Sequence, residues 1–211
     1  MKMTSSALAL CIMVYMPLNS SGWWKGPLFN PAKHLTQVAV ALSTDNFYAV
    51  DEGKLYRSAQ LSPKRLTQRI KKYGIKTIVN LRDEALTSKV IAQEKVVCNN
   101  NNVVFVNIPM VNTFMSKSAI TSKAHIRQLL AVYDDEKKYP RPLLIHCKAG
   151  ADRTGEAAAM WVLEKQRHAS RQEAIDKALA QLRPKYAHIE VQFPAKRAFI
   201  QSWPGRQWLD A

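Results

Sequence analysis

Apolar and polar positions along this chain predict strands that alternate with helices. Short apolar runs predict strands over residues 75–81, 103–108 and 142–145, and residues 47–50 and 54–58 flank a turn and predict an edge hairpin. Between these runs, apolar residues recur at helical spacing. Strands separated by helices pair in parallel, because each crossover connection has room for a helix. The pattern therefore predicts an α/β fold with a central, mostly parallel sheet flanked by helices.

Capping residues indicate where several of the helices begin and end. Ser62, followed by Pro63, predicts the start of one helix, and Gly74 predicts its end. Ser170 and Glu173 have the spacing of a capping box before a further helix. Apolar spacing predicts other helices over about residues 85–99, around residues 126–133 and over residues 156–166. Aromatic residues of the tail predict packing onto the domain: Phe193, Phe199, Trp203 and Trp208.

The most informative stretch is His-Cys-Lys-Ala-Gly-Ala-Asp-Arg-Thr-Gly at residues 146–155, between the last predicted strand and the helix after it. In such a loop, successive backbone N–H groups face inward at the positive end of the helix dipole and form a cradle for phosphate oxygens. The same field favours the thiolate form of Cys147. Arg153 can hold two phosphate oxygens bidentately, and the Thr154 hydroxyl can donate to the sulfur as it leaves. The motif thus predicts a nucleophile that acts on a phosphate group.

Other chemistries fit this loop less well. A Walker-type nucleotide loop has Lys and then Ser or Thr after its second glycine, whereas Glu156 and Ala157 follow Gly155, so that class is excluded. A rhodanese-like sulfurtransferase also uses a loop cysteine before a helix, but its arginine typically comes one position sooner, which leaves it as a minor alternative. An inert buried cysteine beside helix-capping residues is the plainest interpretation. The joint occurrence of Cys147, Arg153 and the flanking glycines favours a phosphate site instead.

The loop resembles the phosphate-binding loop of cysteine-dependent phosphatases, in which five residues separate Cys from Arg and a Ser or Thr follows. It is most similar to the dual-specificity, tyrosine phosphatase-like group, including bacterial members, and residues 53–60 and 78–82 are similar to two other segments of that group. The resemblance covers about residues 47–182, in matching order. It implies attack of Cys147 on phosphorus, a phosphocysteine intermediate and its hydrolysis by water, with no metal and no cofactor.

The resemblance also implies which residues form the site. The catalytic residues would be Cys147, Asp152, Arg153 and Thr154, and the phosphate-binding residues would be Lys148, Ala149, Gly150, Ala151, Asp152 and Arg153. His146 could orient the loop through its ring nitrogens or be a core histidine. Arg57 and Gln60 are candidates for the entrance to the site, without a catalytic role.

The general acid is where the chain departs from the family pattern. Related phosphatases usually carry an Asp on the loop after the preceding strand, but residues 108–117 contain no carboxylate, and Asn112 cannot give up a proton. Asp152 is one candidate, because some similar microbial phosphatases are thought to use an Asp at this position of the loop. Asp83 is the alternative, since it follows a predicted parallel strand and would share a rim with the nucleophile. Asp152 could instead hold the shape of the loop, and Asp83 could instead stabilise a helix N-terminus.

The length suits one catalytic domain with a full core. Residues 1–22 combine a basic start, a short apolar stretch and small residues, which predicts a secretory signal peptide or a hydrophobic N-terminal segment. Residues 23–46 would be an N-terminal extension and residues 47–211 the catalytic domain. A cleaved signal predicts an exported protein, periplasmic or secreted; otherwise the protein would be cytoplasmic or membrane-associated. Cys98 and Cys147 could form a disulfide in an oxidising space, although helical spacing predicts that Cys98 is buried on a helix.

The formal net charge of +15 favours anionic partners. The predicted substrate is a phosphorylated protein, and the predicted activity is that of a tyrosine or dual-specificity protein phosphatase. A phosphoinositide or inositol phosphate is the alternative substrate. Lys148 resembles the loop lysine of inositol-lipid phosphatases, whereas Ala151 lacks the second basic residue that such enzymes often have. The charge also suits an anionic membrane surface, while nucleic acid is not favoured as a partner. A phosphate-binding module without turnover is the non-enzymatic alternative, because the usual acid is missing.

Overall fold

The computed structural model describes residues 43–83, 88–111, 121–188 and 194–210, and also residue 39. The predicted signal peptide, most of the predicted N-terminal extension, Asn112 and the tail aromatic Phe193 lie outside the described residues. The predicted helix over residues 85–99 is described from Ser88 onward.

Among the described residues, one sheet of five strands forms the centre of the fold. The strands are β1 (Tyr48–Asp51), β2 (Leu55–Ser58), β3 (Thr77–Asn80), β4 (Val104–Asn107) and β5 (Leu143–His146). Their order is β1-β2-β5-β3-β4; β1 pairs antiparallel with β2, and the other neighbours pair in parallel. The predicted α/β class and the edge hairpin are confirmed. β3 and β4 are shorter than the apolar runs that predict them. Ile75, Leu81 and Ile108 belong to those runs and are buried, but they lie just beyond the strand ends.

Helices connect and cover the strands. They are α1 (Pro63–Tyr73), α2 (Ser88–Asn100), α3 (Lys123–Asp134), α4 (Asp152–Lys165), α5 (Arg171–Leu179), α6 (Pro194–Gln201) and α7 (Gln207–Asp210), with a 3-10 turn at Pro184–Tyr186. None of the described helices has the length and hydrophobicity that a bilayer span requires. α4 begins at Asp152 and not at residue 156, because the end of the phosphate loop already winds into helix.

The predicted caps are confirmed for two helices. The Ser62 hydroxyl accepts a hydrogen bond from the Arg65 amide at the start of α1, and Gly74 ends α1 with a left-handed φ of 63°. At the start of α5, the Ser170 hydroxyl accepts a hydrogen bond from the Glu173 amide. These local side-chain contacts satisfy amides that the helix itself leaves unpaired.

The two faces of the sheet carry two apolar cores. Leu143 and Ile145 of β5 belong to the core under α3, α4, α5 and α6, whereas Leu144 belongs to the core under α1 and α2. Cys98 of α2 lies fully buried in the second core, as its helical spacing predicts. Cys98 and Cys147 are both free thiols. Three tail aromatics pack in or against the first core, which confirms their predicted packing role: Phe199, Trp203 and Trp208.

The parallel strands bring their carboxyl ends to one edge of the sheet. Ser58 at the end of β2 lies opposite His146 at the end of β5, and His146 lies opposite Asn80 at the end of β3. Asn107 at the end of β4 is in register with Asn80. Ligands of α/β proteins bind at this edge, because the loops after the strands collect there. The loop that begins at Cys147 therefore leaves the central strand of the edge.

Candidate active site

The phosphate loop, residues 147–151, connects β5 to α4, and neighbouring segments bind its carbonyl groups from outside. The backbone amide of Gln60 donates to the Lys148 carbonyl at 3.1 Å. Asn46 Nδ2 donates to the Ala149 carbonyl at 2.8 Å. Asn46 is fully buried, so the end of the predicted N-terminal extension packs against the loop and supports it.

Arg57 binds the next two carbonyls of the loop. Its Nη2 donates to the Gly150 carbonyl at 2.9 Å and to the Ala151 carbonyl at 3.3 Å, while its Nη1 donates to the backbone and side-chain oxygens of Gln181 at 2.9 and 3.1 Å. The guanidinium lies 4.0 Å from the centroid of the Tyr186 ring. Arg57 is fully buried, so the prediction that it lines the entrance is wrong: its long side chain runs from β2 underneath the loop.

The buried Arg57 remains a cation. Burial lowers its pKa to about 10, and the nearby Tyr186, Cys147 and Asp152 oppose this shift. A buried charge costs several kcal/mol unless hydrogen bonds and opposite charges compensate for the lost water. Carbonyl oxygens of Gly150, Ala151 and Gln181 accept the hydrogen bonds here, and Tyr186, Cys147 and Asp152 favour the charged form of Arg57. The loop and Arg57 therefore stabilise each other.

The outside contacts determine which way the loop amides face. In a planar trans peptide, the N–H group points opposite to the carbonyl of the same unit. Because the carbonyls of residues 148–151 point to partners outside the loop, the amides of residues 149–152 face its hollow. α4 begins at Asp152, so the positive end of the helix dipole adds to the same hollow. The arrangement can bind an anion that presents several oxygens.

Gly150 allows the loop to lie directly against the end of β2. Its φ of 69° is left-handed, a conformation that favours glycine. A Cβ at this position would lie 2.4 Å from the Ser58 carbonyl oxygen and 2.6 Å from the Ala59 amide nitrogen. These are backbone atoms of a buried strand end, so the loop would have to move away and its amides would lose their alignment.

Cys147 lies at the base of the loop and is 3% exposed. Arg153, in the first turn of α4, donates from Nη1 to the Leu81 carbonyl at 3.3 Å. Burial and the positive charge of Arg153 lower the pKa of Arg82, whereas Cys147 acts on it in the opposite direction. Arg82 Nη1 also donates to Gln60 Oε1 at 3.2 Å. Two guanidinium groups therefore share the neighbourhood of the thiol.

Behind the loop, His146 pairs with Glu94 of α2. Glu94 Oε1 lies 2.7 Å from His146 Nε2, and both side chains are buried. Asn80 Nδ2 donates to Glu94 Oε2 at 2.6 Å. Burial raises the pKa of Glu94, but the charge of His146 and hydrogen bonds from His146, Asn80 and Gln60 lower it by more. His146 is thus a partnered core histidine that also ties β5 to α2, directly before the predicted nucleophile.

Asp152 has a buried histidine as its partner. Asp152 Oδ1 lies 2.7 Å from His188 Nδ1, and the Asp152 side chain is 18% exposed while that of His188 is 1% exposed. His188 follows the 3-10 turn after α5. The carboxyl group of Asp152 is therefore held on one side by an imidazole and open to solvent on another.

The remaining predicted site residues lie around this centre. Asp83 is exposed on the segment after β3, at the same edge of the sheet as Cys147. Lys148 is exposed on the loop. Thr154 is fully buried in α4, and its hydroxyl makes no hydrogen bond within the described part of the chain. The fold thus brings the loop residues together and leaves Asp83 on the rim.

Comparison with known proteins identifies the family. Residues 40–166 match the model of the "Tyrosine phosphatase family". The chain belongs to the tyrosine phosphatase family. It is a cysteine-dependent phosphatase, and the resemblance inferred from its loop is confirmed. No curated protein matches the sequence significantly.

Solved structures with this fold include several phosphatases. The core catalytic domain of the PP-IP phosphatase Siw14 from S. cerevisiae is 18% identical with a TM-score of 0.56, and the match covers 77% of this chain and 88% of that chain. Kinase associated phosphatase is 21% identical with a TM-score of 0.53, covering 74% and 88%. TpbA from P. aeruginosa is 19% identical with a TM-score of 0.52, covering 79% and 89%. At such identities the likeness shows the fold.

Sequence reasoning missed several residues that support this tyrosine phosphatase loop. Glu94 had a signal, because it shares the buried face of α2 with Ile91 and Cys98, and a charged residue on an apolar face needs a buried partner. Asn46 and His188 had none, since single polar residues in an extension or a tail are ordinary. Their role depends on contacts across long stretches of chain.

A second buried ion pair fixes the helix that carries the loop. Glu156 of α4 and Lys196 of α6 are both buried and form an ion pair. Thr121 Oγ1 donates to Glu156 Oε2 at 3.0 Å. These contacts connect α4 of the phosphatase to α6 and to the segment before α3.

Among the described residues, no group of three or more His, Cys, Asp or Glu side chains could hold a metal ion.

Proposed function

We propose that this member of the tyrosine phosphatase family hydrolyses phosphate monoesters with Cys147 as the nucleophile. The observation that carries the proposal is the set of outward-bound loop carbonyls, because it turns four amides toward the space beside the Cys147 sulfur. Amide dipoles and the α4 N-terminus stabilise a thiolate and bind phosphoryl oxygens. Arg153 supplies a planar fork for two of those oxygens.

In the first step, the Cys147 thiolate attacks phosphorus in line with the leaving oxygen. An S–P bond forms while the P–O ester bond breaks, and the electron pair of that bond moves to the leaving oxygen, which takes a proton from Asp152. Arg153 and the loop amides hold the other phosphoryl oxygens and bind them more strongly as the transition state loosens. The products are a phosphocysteine and a free phenol or alcohol.

In the second step, water hydrolyses the phosphocysteine. The Asp152 carboxylate takes a proton from the water molecule as its oxygen attacks phosphorus, and the S–P bond breaks with its electron pair returning to the Cys147 sulfur. Inorganic phosphate then leaves the loop. We assign to the buried Thr154 hydroxyl the donation of a hydrogen bond to the departing sulfur.

Asp152 is our choice for the general acid over Asp83. Asp152 is the first residue of α4 and directly follows the phosphate loop, and both Asp152 and Cys147 act electrostatically on the buried Arg57 beneath the loop. Asp83 is exposed on the rim. An acid must come within hydrogen-bond reach of the leaving oxygen, which favours the residue nearer to the nucleophile.

Phosphotyrosine in proteins is the substrate class that we propose, with dual specificity toward phosphoserine and phosphothreonine. Two observations support it. The family that matches is described by its action on tyrosine phosphate. The nucleophile is only 3% exposed, and a recessed sulfur favours a substrate whose phosphate projects far from the backbone, as it does on a tyrosine ring.

An inositol phosphate or a phosphoinositide is the second candidate, because of Arg82. Its guanidinium is close enough to Arg153 for the two like charges to repel, which contributes to the lowered pKa of Arg82. A second phosphate on the same substrate would relieve that repulsion. Lys148 adds an exposed cation on the loop, and a similar fold occurs in a PP-IP phosphatase.

A substrate panel tests the choice. Phosphate release is measured for a phosphotyrosine peptide, a phosphoserine peptide, a soluble inositol polyphosphate and phosphoinositide vesicles, with Cys147→Ser as the blank. We expect kcat/KM to be highest for the phosphotyrosine peptide by about tenfold or more. A higher value for the inositol compounds would establish the second candidate. Binding of all substrates without turnover would instead leave a phosphate-binding module.

Asp152→Asn should slow the hydrolysis of poor leaving groups selectively. An alkyl phosphate needs a proton on its leaving oxygen, whereas nitrophenolate leaves without one. We expect kcat/KM to fall by about 10²- to 10⁴-fold for the alkyl phosphate, and much less for nitrophenyl phosphate. The ratio kcat/KM is the right measurement, because it reports the first chemical step and not the hydrolysis of the phosphocysteine.

Asp83→Asn is the matched control for the acid. It removes the same charge from the same edge of the sheet, at an exposed position. A selective loss in Asp83→Asn and not in Asp152→Asn would transfer the role to Asp83. Equal slowing of both substrates in Asp152→Asn would contradict the assignment and leave Asp152 as a residue that shapes the loop.

A further inference from the structure

His188 directly follows a strained turn of the backbone and lies against the start of α4. It follows the 3-10 turn at Pro184–Tyr186, and its backbone amide donates to the Arg183 carbonyl at 3.3 Å. Ala187, directly before it, has a left-handed φ of 62°, which is a strained conformation for a residue with a Cβ. Such strain persists only where surrounding contacts require the conformation, and it is concentrated at functional sites.

After the strained turn, the imidazole of His188 contacts one oxygen of Asp152. His188 Nδ1 lies 2.7 Å from Asp152 Oδ1, and the imidazole is 1% exposed. Asp152 acts electrostatically on the buried Arg57 of β2, and Arg153 is the next residue of α4. An Oδ1 atom that carries no proton can only accept a hydrogen bond, both when Asp152 is a carboxylate and when its proton is on Oδ2. Nδ1 is therefore the donor.

We propose that His188 is a positioning residue for the general acid, an inference that rests on the proposed role of Asp152. The Nδ1–H group binds Oδ1 and fixes the plane of the carboxyl group. Oδ2 is then the oxygen that carries the exchangeable proton. The partial exposure of Asp152 and the burial of the His188 ring agree with these roles of Oδ1 and Oδ2, because the oxygen that exchanges a proton with substrate must face the solvent side.

The hydrogen bond acts in both chemical steps. When Oδ2 gives its proton to the leaving oxygen, the new carboxylate charge is stabilised by the Nδ1–H donor, which itself transfers no proton. When water attacks the phosphocysteine, Oδ2 takes back one proton from the water, and the carboxyl group returns to its starting state. A hydrogen bond to a charged group contributes about 1.5–3 kcal/mol, which corresponds to about a tenfold to hundredfold change in rate.

Substitutions of His188 test this role through leaving-group selectivity. His188→Asn keeps an N–H donor near the position of Nδ1, His188→Gln moves the donor one methylene too far, and His188→Leu removes it. We expect the ratio of kcat/KM for nitrophenyl phosphate to that for an alkyl phosphate to rise by about 10- to 100-fold in His188→Leu and His188→Gln. His188→Asn should restore most of the wild-type ratio. Because a ratio is compared, a partial loss of folded protein does not change the result.

The controls separate this inference from the proposed function. Asp152→Asn combined with His188→Leu should show no larger ratio than Asp152→Asn alone, because the two residues act as one unit. A selective loss in Asp152→Asn with an unchanged ratio in every His188 variant would overturn the role of His188 and keep the acid. Equal loss on both substrates in His188→Leu, without rescue by Asn, would show a purely structural histidine. An unselective Asp152→Asn would overturn the acid and this inference together.

Discussion

Cys147→Ser should lower the hydrolysis of every phosphate monoester by roughly 10³-fold or more while phosphate binding persists. The loop amides and Arg153 do not depend on the sulfur, so the cradle remains. A serine hydroxyl is a far weaker acid than a thiol and gains too little from the same field to become an anion at neutral pH. Steady-state kcat with nitrophenyl phosphate measures the loss, and competition by inorganic phosphate measures the retained binding.

Cys98→Ser is the matched control for this variant. Cys98 lies in the second core, on the face of the sheet opposite to the core that contains Cys147. Burial together with the charge of Glu94 raises the pKa of its thiol to about 12. It is therefore a neutral thiol with no access to substrate, and its variant should keep the activity of the folded enzyme. Acid quenching during turnover should trap a phosphoprotein in wild type and Cys98→Ser. Its absence from both, or undiminished activity in Cys147→Ser, would refute the covalent mechanism.

Gly150→Ala should cost both activity and stability. A Cβ would lie 2.4 Å from the Ser58 carbonyl oxygen, and the left-handed φ of 69° adds strain for any residue with a side chain. We expect the free energy of unfolding to fall by about 2–5 kcal/mol, from strain and overpacking combined. Activity should fall by about 10²-fold or more, since displacement of the loop by an ångström misaligns the amides that face the phosphate.

Gly74→Ala separates the effect of the loop from that of backbone strain. Gly74 ends α1 with a similar left-handed φ of 63°, but a Cβ there meets nothing within 4 Å. This variant should lose about 1–2 kcal/mol of stability and keep wild-type kcat/KM. Urea unfolding and nitrophenyl phosphate kinetics give both quantities. Equal activity in the two variants would show that the close approach of the loop to β2 is not required for catalysis.

The hydrogen bonds that hold the loop explain why displacement of the loop should have large effects on stability and activity. Every outward carbonyl accepts a hydrogen bond, and the donors are Gln60, Asn46 and Arg57, whose Nη2 binds two of the carbonyls. Arg57 is itself bound to Gln181 and packs on Tyr186. Moving one carbonyl therefore leaves a buried donor without its acceptor, which costs about 1–3 kcal/mol for each broken contact.

Features that depend on neighbouring residues could be predicted without the structure. The caps at Ser62 and Ser170 act within one helical turn, and the period of apolar positions distinguishes strands from helices over a few residues. The loop chemistry is local too, because the spacing of Cys147 and Arg153 places a thiol and a guanidinium on one strand–loop–helix turn. These features sufficed for the fold class and for the family.

The groups that shape and orient the loop could not be predicted in this way, because they come from distant parts of the chain. Asn46 meets Ala149 across 103 residues, Arg57 meets Gly150 across 93, and His188 meets Asp152 across 36. No periodicity connects positions so far apart, because their contact depends on strand register, on the direction of each side chain and on where a turn such as that at Ala187 sends the chain. The reactive groups could be read from the sequence, whereas the hydrogen bonds that orient them exist only once the sheet has assembled.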